Sequence, residues 1–239
     1  MVKIKKNKGI RYWNDAKKFI PSGNSLLSKN PNLYHPDLWP TYFKEAKGCE
    51  IKALDGKKYI DMCMMGVGTN LLGYAYKPVD EAVKKSIGQG NMSTFNPIEE
   101  VELSKELIKL NPWAGMCRFA RTGGEANAIA IRIARAYSKK DNVAICGYHG
   151  WHDWYLALNI KSKKQMQELL LKNLKTEGVP KDLAKSVFTF DYNDIKKVEY
   201  LIKKKSIGSI IMEVTRNFSP QNNFLKKIRT LCNKHKVIL

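Results

Sequence analysis

The second half of the chain alternates short apolar runs with stretches in which apolar residues recur at helical spacing. The apolar runs at 143–146, 187–190 and 209–213 predict strands that are buried on both faces. Strands that alternate with helices predict a parallel α/β sheet, with ligands bound beyond the carboxyl ends of its strands. Helical spacing predicts helices over 125–138, 163–176, 194–205 and 224–236, and a further strand is expected to begin at Val237.

The first part of the chain has a different pattern. Residues 1–40 are punctuated by prolines and glycines and are predicted to form an irregular arm. Residues 48–61 alternate apolar and polar positions around a D-G turn, which predicts a β-hairpin. Residues 62–78 are Gly-rich and apolar, and we interpret them as a buried loop or strand. Helices are expected over 78–87 and 97–110.

The composition is that of a globular protein with a large excess of positive charge. Hydrophobic residues make up 44% of the 239 residues, and the formal net charge is +20. The basic residues are spread along the chain and do not form one stripe interleaved with aromatic residues, so nucleic acid is not an expected partner. A basic interaction protein without catalytic activity is the alternative to an enzyme.

Cysteine usage and hydropathy bear on the cellular compartment. The five cysteines are odd in number and include no C-x-x-C pair, which argues against a disulfide framework or a zinc ribbon. No apolar run approaches the length of a membrane span, and no membrane partner is expected. Free thiols suit a reducing compartment, so the cytoplasm is the predicted location.

The segment R-T-G-G-E-A at residues 121–126 joins a short extended piece, residues 117–120, to a predicted helix. Gly123 and Gly124 allow a sharp turn and let an anion approach backbone N–H groups, and the helix N-terminus offers unpaired donors. Most Gly-Gly turns are only turns, so this segment by itself is weak evidence for a phosphate site. An unrelated α/β domain that binds another phosphorylated ligand here is a further alternative.

The segment G-Y-H-G-W-H-D at residues 147–153 follows a predicted buried strand. Its aromatic side chains suit a flat conjugated ring, although aromatic packing at a strand end gives the same pattern. His149, His152 and Asp153 form a partial metal-ligand set, but no further cluster of ligand residues accompanies them, so no metal is expected. Glu213 ends another buried strand, where a charge is costly without a partner, and its placement indicates a site.

Several segments, in order and at the expected spacing, resemble motifs of the class-III aminotransferases and glutamate-1-semialdehyde aminomutases. R-T-G-G-E-A resembles the family's S-G-T-E-A phosphate motif, and the following A-I-A-I-R-I-A-R-A-Y-S-K-K-D-N-V-A-I-C-G-Y-H-G resembles the block that comes after it. Upstream, G-C-E-I-K-A-L-D-G-K-K-Y-I-D resembles the family's hairpin, and L-L-G-Y-A-Y-K-P-V its L-G-H-x-x-P-x-V segment. Downstream, I-I-M-E-V-T-R-N resembles the strand that carries its E-P motif. The resemblance covers nearly the whole chain.

The resemblance implies an incomplete α/β protein of PLP-dependent transferase fold type I, in which pyridoxal 5'-phosphate (PLP) is the cofactor. Residues 1–90 would form the N-terminal arm and a hairpin segment of the small domain. Residues 91–239 would form the first part of the large domain, a mostly parallel sheet flanked by helices. Ser25 is the implied substrate-binding residue. The implied cofactor-binding residues are Thr122, Gly123 and Gly124 at the phosphate, Tyr148 stacked on the ring, and His149, Glu213 and Asn217 lining the pocket.

By the same resemblance, the reaction is amino-group transfer on a small amino or keto substrate, by an aminotransferase or aminomutase that is normally a homodimer. The family's Schiff-base lysine and pyridine aspartate come after the strand that begins at Val237. The chain is therefore expected to be a fragment that is inactive alone, and its catalytic residues are unknown. Three departures put glutamate 1-semialdehyde itself in doubt. Ser28-Lys29 stands where an arginine is expected, Gly66-Val67-Gly68 replaces a Ser-Trp-Gly segment, and Gly124 replaces a threonine.

Overall fold

The computed structural model of the chain describes residues 8–35, 38–90, 93–161, 175–215 and 219–239. The chain divides into two compact units, Met1–Pro97 and Ile98–Leu239. Within the described ranges, no helix is both long enough and apolar enough to cross a membrane.

The first unit contains an N-terminal helix and a three-stranded antiparallel sheet. Its helices are α1 (Lys8–Phe19), the single turn α2 (Met64–Val67) and α3 (Lys77–Gln89). Its strands are β1 (Phe43–Lys47), β2 (Glu50–Ala53) and β3 (Lys58–Ile60), paired in that order. The predicted hairpin corresponds to β2 and β3, and the first of the two predicted helices corresponds to α3, so both predictions are confirmed.

Two predictions for this unit are wrong. Residues 1–40 are not irregular throughout, because they contain α1, whose Trp13 is buried so closely that a Cβ at Gly23 would lie 2.6 Å from its ring. The prolines that indicated an irregular arm all come after α1, which contains a single glycine, Gly9. Residues 62–78 are not buried in the chain either, since Leu71 is 86% exposed and the segment consists largely of turns around α2.

The described part of the second unit contains six α-helices. They are α4 (Ile98–Leu110), α5 (Gly123–Ser138), α6 (Asp153–Leu156), α7 (Leu158–Lys161), α8 (Ile195–Lys204) and α9 (Phe224–His235). Four of them, α4, α5, α8 and α9, confirm predicted helices. The short helices α6 and α7 were not predicted. The helix predicted over 163–176 lies almost entirely outside the described residues.

A parallel sheet lies at the centre of the second unit. Its strands are β4 (Asn142–Cys146), β5 (Val187–Thr189) and β6 (Ile207–Met212), in the spatial order β5-β4-β6. Ile238 forms one further parallel bridge beside β6, and its N–H donates to Gly208 O over 3.0 Å. The predicted strands and their parallel arrangement are therefore confirmed.

Alternate residues of β4 face two separate hydrophobic cores. Val143 and Ile145 pack with residues of α5, α6 and α7 on one face of the sheet. Ala144 and Cys146 pack with residues of α8 and α9 on the other face. All four side chains are buried, which explains why this strand reads as a continuous apolar run.

The segment before α5 differs from its sequence interpretation. Residues 117–120 belong to no strand of the structure. Because α5 begins at Gly123, Gly123 and Gly124 form the first residues of the helix rather than a loop ahead of it. Both glycines are helical, Thr122 is the N-cap, and the bend lies at residues 121–122, ahead of the glycines.

Candidate functional site

The N-terminus of α5 is closed by a reciprocal cap. Thr122 is extended, and its Oγ1 accepts a hydrogen bond from Glu125 N over 3.1 Å. The Glu125 carboxylate turns back and accepts from the N–H groups of Arg121 at 2.9 Å and Thr122 at 3.2 Å. This capping box satisfies donors on both sides of the helix start.

Gly123 and Gly124 lie between these capped groups. Within the described part of the chain, no acceptor hydrogen-bonds to either N–H group. Gly123 is exposed, and a Cβ at this position would meet nothing within 4 Å. Unpaired N–H groups at the positive end of a helix dipole are the donors that proteins use to bind phosphate.

The turn after β4 packs directly on this helix start. Gly150 has a φ of +103°, and a Cβ there would lie 3.0 Å from the Cα of Gly124. A Cβ at Gly124 would in turn lie 2.9 Å from Cδ2 and Nε2 of His152. Farther along α5, Asn127 Nδ2 donates to His149 O over 3.1 Å. Because Gly124 and Gly150 have no side chain, the turn after β4 can lie directly against the first turn of α5.

The buried rings of His149 and Tyr155 fix the backbone conformation of the turn after β4. His149 is 7% exposed, and its Nε2 lies 2.9 Å from Cys146 O. Tyr155 of α6 is fully buried and donates its hydroxyl to Gly147 O over 3.0 Å. The rings of His149 and Tyr155 meet edge to face, with their centroids 6.2 Å apart. Gly147 itself has a φ of +92°, a conformation that favours glycine.

Tyr148 lies on the same face of the sheet as α5. It is half-buried and packs against the core that contains Ile131, alongside Ala128, both of which belong to α5. Its ring meets that of Tyr155 edge to face, with centroids 5.8 Å apart and an interplanar angle of 88°. The turn therefore presents an aromatic ring on the α5 side of the sheet.

Glu213 follows β6 and lies against the start of the same turn. Its N–H donates to Cys146 O over 3.2 Å, which extends the pairing of β6 with β4. A Cβ at Gly147 would lie 2.9 Å from Cγ and Cδ of Glu213, so this side chain passes directly over the Gly147 backbone. The carboxyl ends of two neighbouring strands meet here, at the edge where α/β sheets bind ligands.

The loop after β5 contributes Tyr192 to the same edge. Its hydroxyl donates to Val214 O, and its ring meets Phe224 edge to face with centroids 5.1 Å apart. Burial raises the pKa of the Tyr192 hydroxyl. Loops after all three strands thus converge on one edge.

The geometry of this edge does not test two of the predicted site residues, Asn217 and Ser25. Asn217 lies outside the described residues. Ser25 is exposed and belongs to the first unit, shortly after the short 3-10 turn Pro21–Gly23. The roles predicted for these residues remain predictions.

The interpretation of the turn as a metal site gains no support from the geometry. One nitrogen of His149 faces a backbone carbonyl, and the ring of His152 lies against Gly124. In the ranges that the structure describes, no group of three or more His, Cys, Asp or Glu residues is arranged to hold a metal ion.

Sequence reasoning missed three side chains that shape the site: Asn127, Tyr155 and Tyr192. Asn127 is the lone amide in an Ala/Ile-rich helical stretch, and that isolation was a usable signal. The two tyrosines follow predicted strands, but a sequence does not show which hydroxyl will be buried against a backbone carbonyl. Their positions depend on how the loops cross the sheet edge.

Comparisons with known proteins identify the family of the chain. The family model for aminotransferase class-III matches residues 34–239. The glutamate-1-semialdehyde 2,1-aminomutase of Methanobrevibacter smithii is 32% identical over 235 residues, which cover 95% of this chain and 52% of the relative. The 3-aminobutyryl-CoA aminotransferase of Cloacimonas acidaminovorans is 28% identical, over 99% of this chain and 55% of the relative. The chain spans about half the length of these curated relatives.

Solved structures show the same fold. An omega-transaminase from Sphaerobacter thermophilus superposes with a TM-score of 0.82 at 22% identity, over 97% of this chain and 53% of that one. A transaminase solved with PLP bound superposes with a TM-score of 0.79 at 21% identity, over 95% of this chain and 53% of that one. These structures confirm the expected fold of PLP-dependent transaminases. Because the family model matches most of its length, the chain belongs to the class-III aminotransferase family.

Proposed function

We propose that this chain forms the phosphate and ring pocket of an enzyme that transfers amino groups with PLP. The observation that carries the proposal is the close approach of Gly150 to Gly124, which places the turn after β4 beside two unpaired helix amides. The likeness of the fold to a transaminase that binds PLP supports the choice of ligand.

The N–H groups of Gly123 and Gly124 would donate to the cofactor phosphate. The helix dipole adds about 0.3–1 kcal/mol of favourable interaction with an anion at an exposed site. The Glu125 carboxylate is engaged by the N–H groups of Arg121 and Thr122, so it is turned toward the residues before the helix. Gly124 lacks the hydroxyl of the family's threonine but keeps the backbone donor.

Tyr148 would offer an aromatic face to the cofactor ring, and Glu213 and Asn217 would line the pocket beside it. PLP supplies an electron sink for chemistry at the carbon that bears the amino group. The residues of this chain would hold and orient the ring and exclude water from one side of it. His149, with its Nε2 directed at Cys146 O, would shape the pocket without moving a proton.

The substrate is proposed to be a small amino or keto compound, with Ser25 among its contacts. The relatives include an aminomutase and an aminotransferase, so both reaction types are retained. Large exposed apolar side chains, such as Trp113 at 86% and Met116 at 91%, support a homodimer in which a second copy covers them. Five free cysteines support a reducing compartment such as the cytoplasm.

Calorimetric titration with pyridoxamine 5'-phosphate tests this proposal, because that compound has no aldehyde to react with surface lysines. We expect weak binding, and at least about ten-fold weaker binding of pyridoxamine, which lacks the phosphate. Equal affinities for the two compounds would contradict a phosphate site. We also expect no transamination by residues 1–239 with PLP and glutamate, because they span about half the length of the curated relatives.

A further inference from the structure

The layer formed by α8 and α9 carries a dense positive charge. Both helices cover the same face of the sheet, where Val198 and Leu201 of α8 share one core with Ile228 and Cys232 of α9. Their exposed side chains therefore form one continuous outer surface. We call six of its cations the basic face: Lys196, Lys203, Lys204, Lys226, Lys227 and Arg229.

Carboxylates do not balance this charge. Helix α8 contains four lysines, and α9 contains three lysines and one arginine. Glu199 is the one acidic residue in the two helices, and it is half-buried. In the part of the chain that the structure describes, no cation of the basic face lies within 4.0 Å of a carboxylate.

Helices α3 and α4 show that a lysine-rich composition alone does not produce this surface. Together they contain five lysines and six acidic residues. Three of these lysines form ion pairs: Lys77 with Glu81 at 3.6 Å, Lys105 with Glu102 at 3.0 Å, and Lys109 with Glu106 at 3.8 Å. The unbalanced charge is therefore a local property of α8 and α9.

We propose that the basic face binds the phosphate backbone of double-stranded nucleic acid without reading its sequence. Lysine and arginine side chains bind phosphates through charge and release the counterions around them. Two packed helices with axes about 8–10 Å apart give a broad surface that can follow a duplex backbone. Tyr200, at 50% exposure, is the one exposed aromatic residue on these two helices, so they offer little stacking surface to a single strand.

This proposal reverses the expectation drawn from the sequence, and the reason is spatial. Along the chain, the lysines of α8 and α9 are separated by an apolar strand and a loop, so they do not read as one stripe. Folding places the two helices side by side on one face of β4 and β6. The proposal stands apart from the PLP pocket and does not depend on it.

Fluorescence anisotropy with a labelled duplex of about 20 base pairs tests the proposal in the intact chain. The test variant replaces Lys203, Lys204, Lys226 and Lys227 with glutamine. The matched control replaces Lys84, Lys85, Lys105 and Lys109 with glutamine, which removes the same net charge from α3 and α4. All eight lysines are exposed, and circular dichroism melting of both variants checks that they fold. A Lys203→Gln/Lys227→Gln variant serves if the four-fold variant does not fold.

We expect the native chain to bind with a steep salt dependence between about 50 and 200 mM. The test variant should lose at least about ten-fold in affinity and lower the slope of log K against log salt by about 2–4, whereas the control should stay within about two-fold. An unlabelled single strand should compete less well than the duplex.

Three results would overturn the proposal. One is absence of duplex binding at about 50 mM salt. Another is an equal loss in the test and control variants, which would mean that net charge alone drives binding. The third is a test variant that keeps its affinity for the duplex but loses binding to phosphatidylserine vesicles or to polyglutamate. Loss of vesicle binding would assign the basic face to a membrane, and loss of polyglutamate binding would assign it to an acidic protein.

Discussion

Helices α5 and α8 both begin near the carboxyl edge of the parallel sheet, but their first turns are built differently. The Asp194 carboxylate caps α8 by accepting from Lys197 N over 2.9 Å, and the side chains of Ile195 and Lys196 follow. Helix α5 is capped by the hydroxyl of Thr122, and two glycines follow. Each helix start carries a carboxylate, Asp194 at α8 and Glu125 at α5, but of the two it is α5 that adds a pair of glycine N–H groups without an acceptor among the described residues.

The difference extends to what each helix start contacts. At α5 the turn after β4 comes close enough that Gly150 touches the backbone of Gly124 and His152 covers it. At α8 the first turn borders a shallow cavity of about 120 Å³ lined by Asn193, Gln221, Asn222 and Lys227 among others. A capped helix N-terminus is thus common to both, and the glycine contacts with a neighbouring turn distinguish the candidate site.

The largest expected effect comes from placing a side chain at Gly147, in the turn that distinguishes α5. Gly147→Ala combines a left-handed conformation with a Cβ that would collide with Glu213, so we expect a loss of about 2–4 kcal/mol in the free energy of unfolding. Gly178→Ala is the control, because it has a φ of +88° but nothing within 4 Å and should lose about 1–2 kcal/mol. Urea denaturation followed by circular dichroism measures both variants. Equal losses in the free energy of unfolding would show that the contact with Glu213 adds nothing to the effect of Gly147→Ala.

A smaller effect separates the two glycines of the α5 first turn. Gly124→Ala should lose about 1–2 kcal/mol, because His152 must move away from a new Cβ. Gly123→Ala meets open space and should leave the free energy of unfolding unchanged or raise it by up to about 1 kcal/mol, since alanine favours helix. The same denaturation experiment compares them, and a reversed order would show that the turn after β4 does not pack on α5.

The smallest effect concerns the two caps. Thr122→Ala and Asp194→Ala should each lower the free energy of unfolding by about 1 kcal/mol, because each removes a side-chain acceptor from the third backbone N–H of its helix. Thr122→Ser keeps the acceptor and should restore most of the loss at α5. Thermal melting measures all three variants, and a Thr122→Ala variant as stable as the native chain would contradict the capping box.

Strands and helices with a clear apolar pattern were predictable from the sequence. Segments whose structure depends on contacts with distant parts of the chain were not. Strand β4 is an apolar run because both of its faces are buried, so its pattern is unambiguous. Helix α1 was missed because its packing depends on a contact between two segments, in which Trp13 lies against Gly23. The proline-rich sequence around Gly23 gives no sign of that contact. Residues 117–120 have the composition of a strand but join no ladder, and only tertiary structure decides that.

The candidate site was predictable in its residue types and not in its contacts. Gly123, Gly124, Tyr148 and Glu213 stood out as glycines in a turn, an aromatic residue after a strand and a carboxylate at a strand end. The close approach of Gly150 to Gly124 has no sequence signal beyond the glycines themselves. The basic face was hidden for the same reason, since adjacency of two helices is a property of the fold.

The most direct test of the central claim is a titration of the ¹⁵N-labelled chain with pyridoxamine 5'-phosphate, followed by backbone amide NMR. If α5 and the turn after β4 bind the cofactor phosphate, the amide resonances of Gly123 and Gly124 should shift most, followed by those of Tyr148 and Gly150. Pyridoxamine without the phosphate should leave the two glycine resonances in place. Shifts confined to the start of α8, or to the lysines of α8 and α9, would contradict the assignment of the pocket.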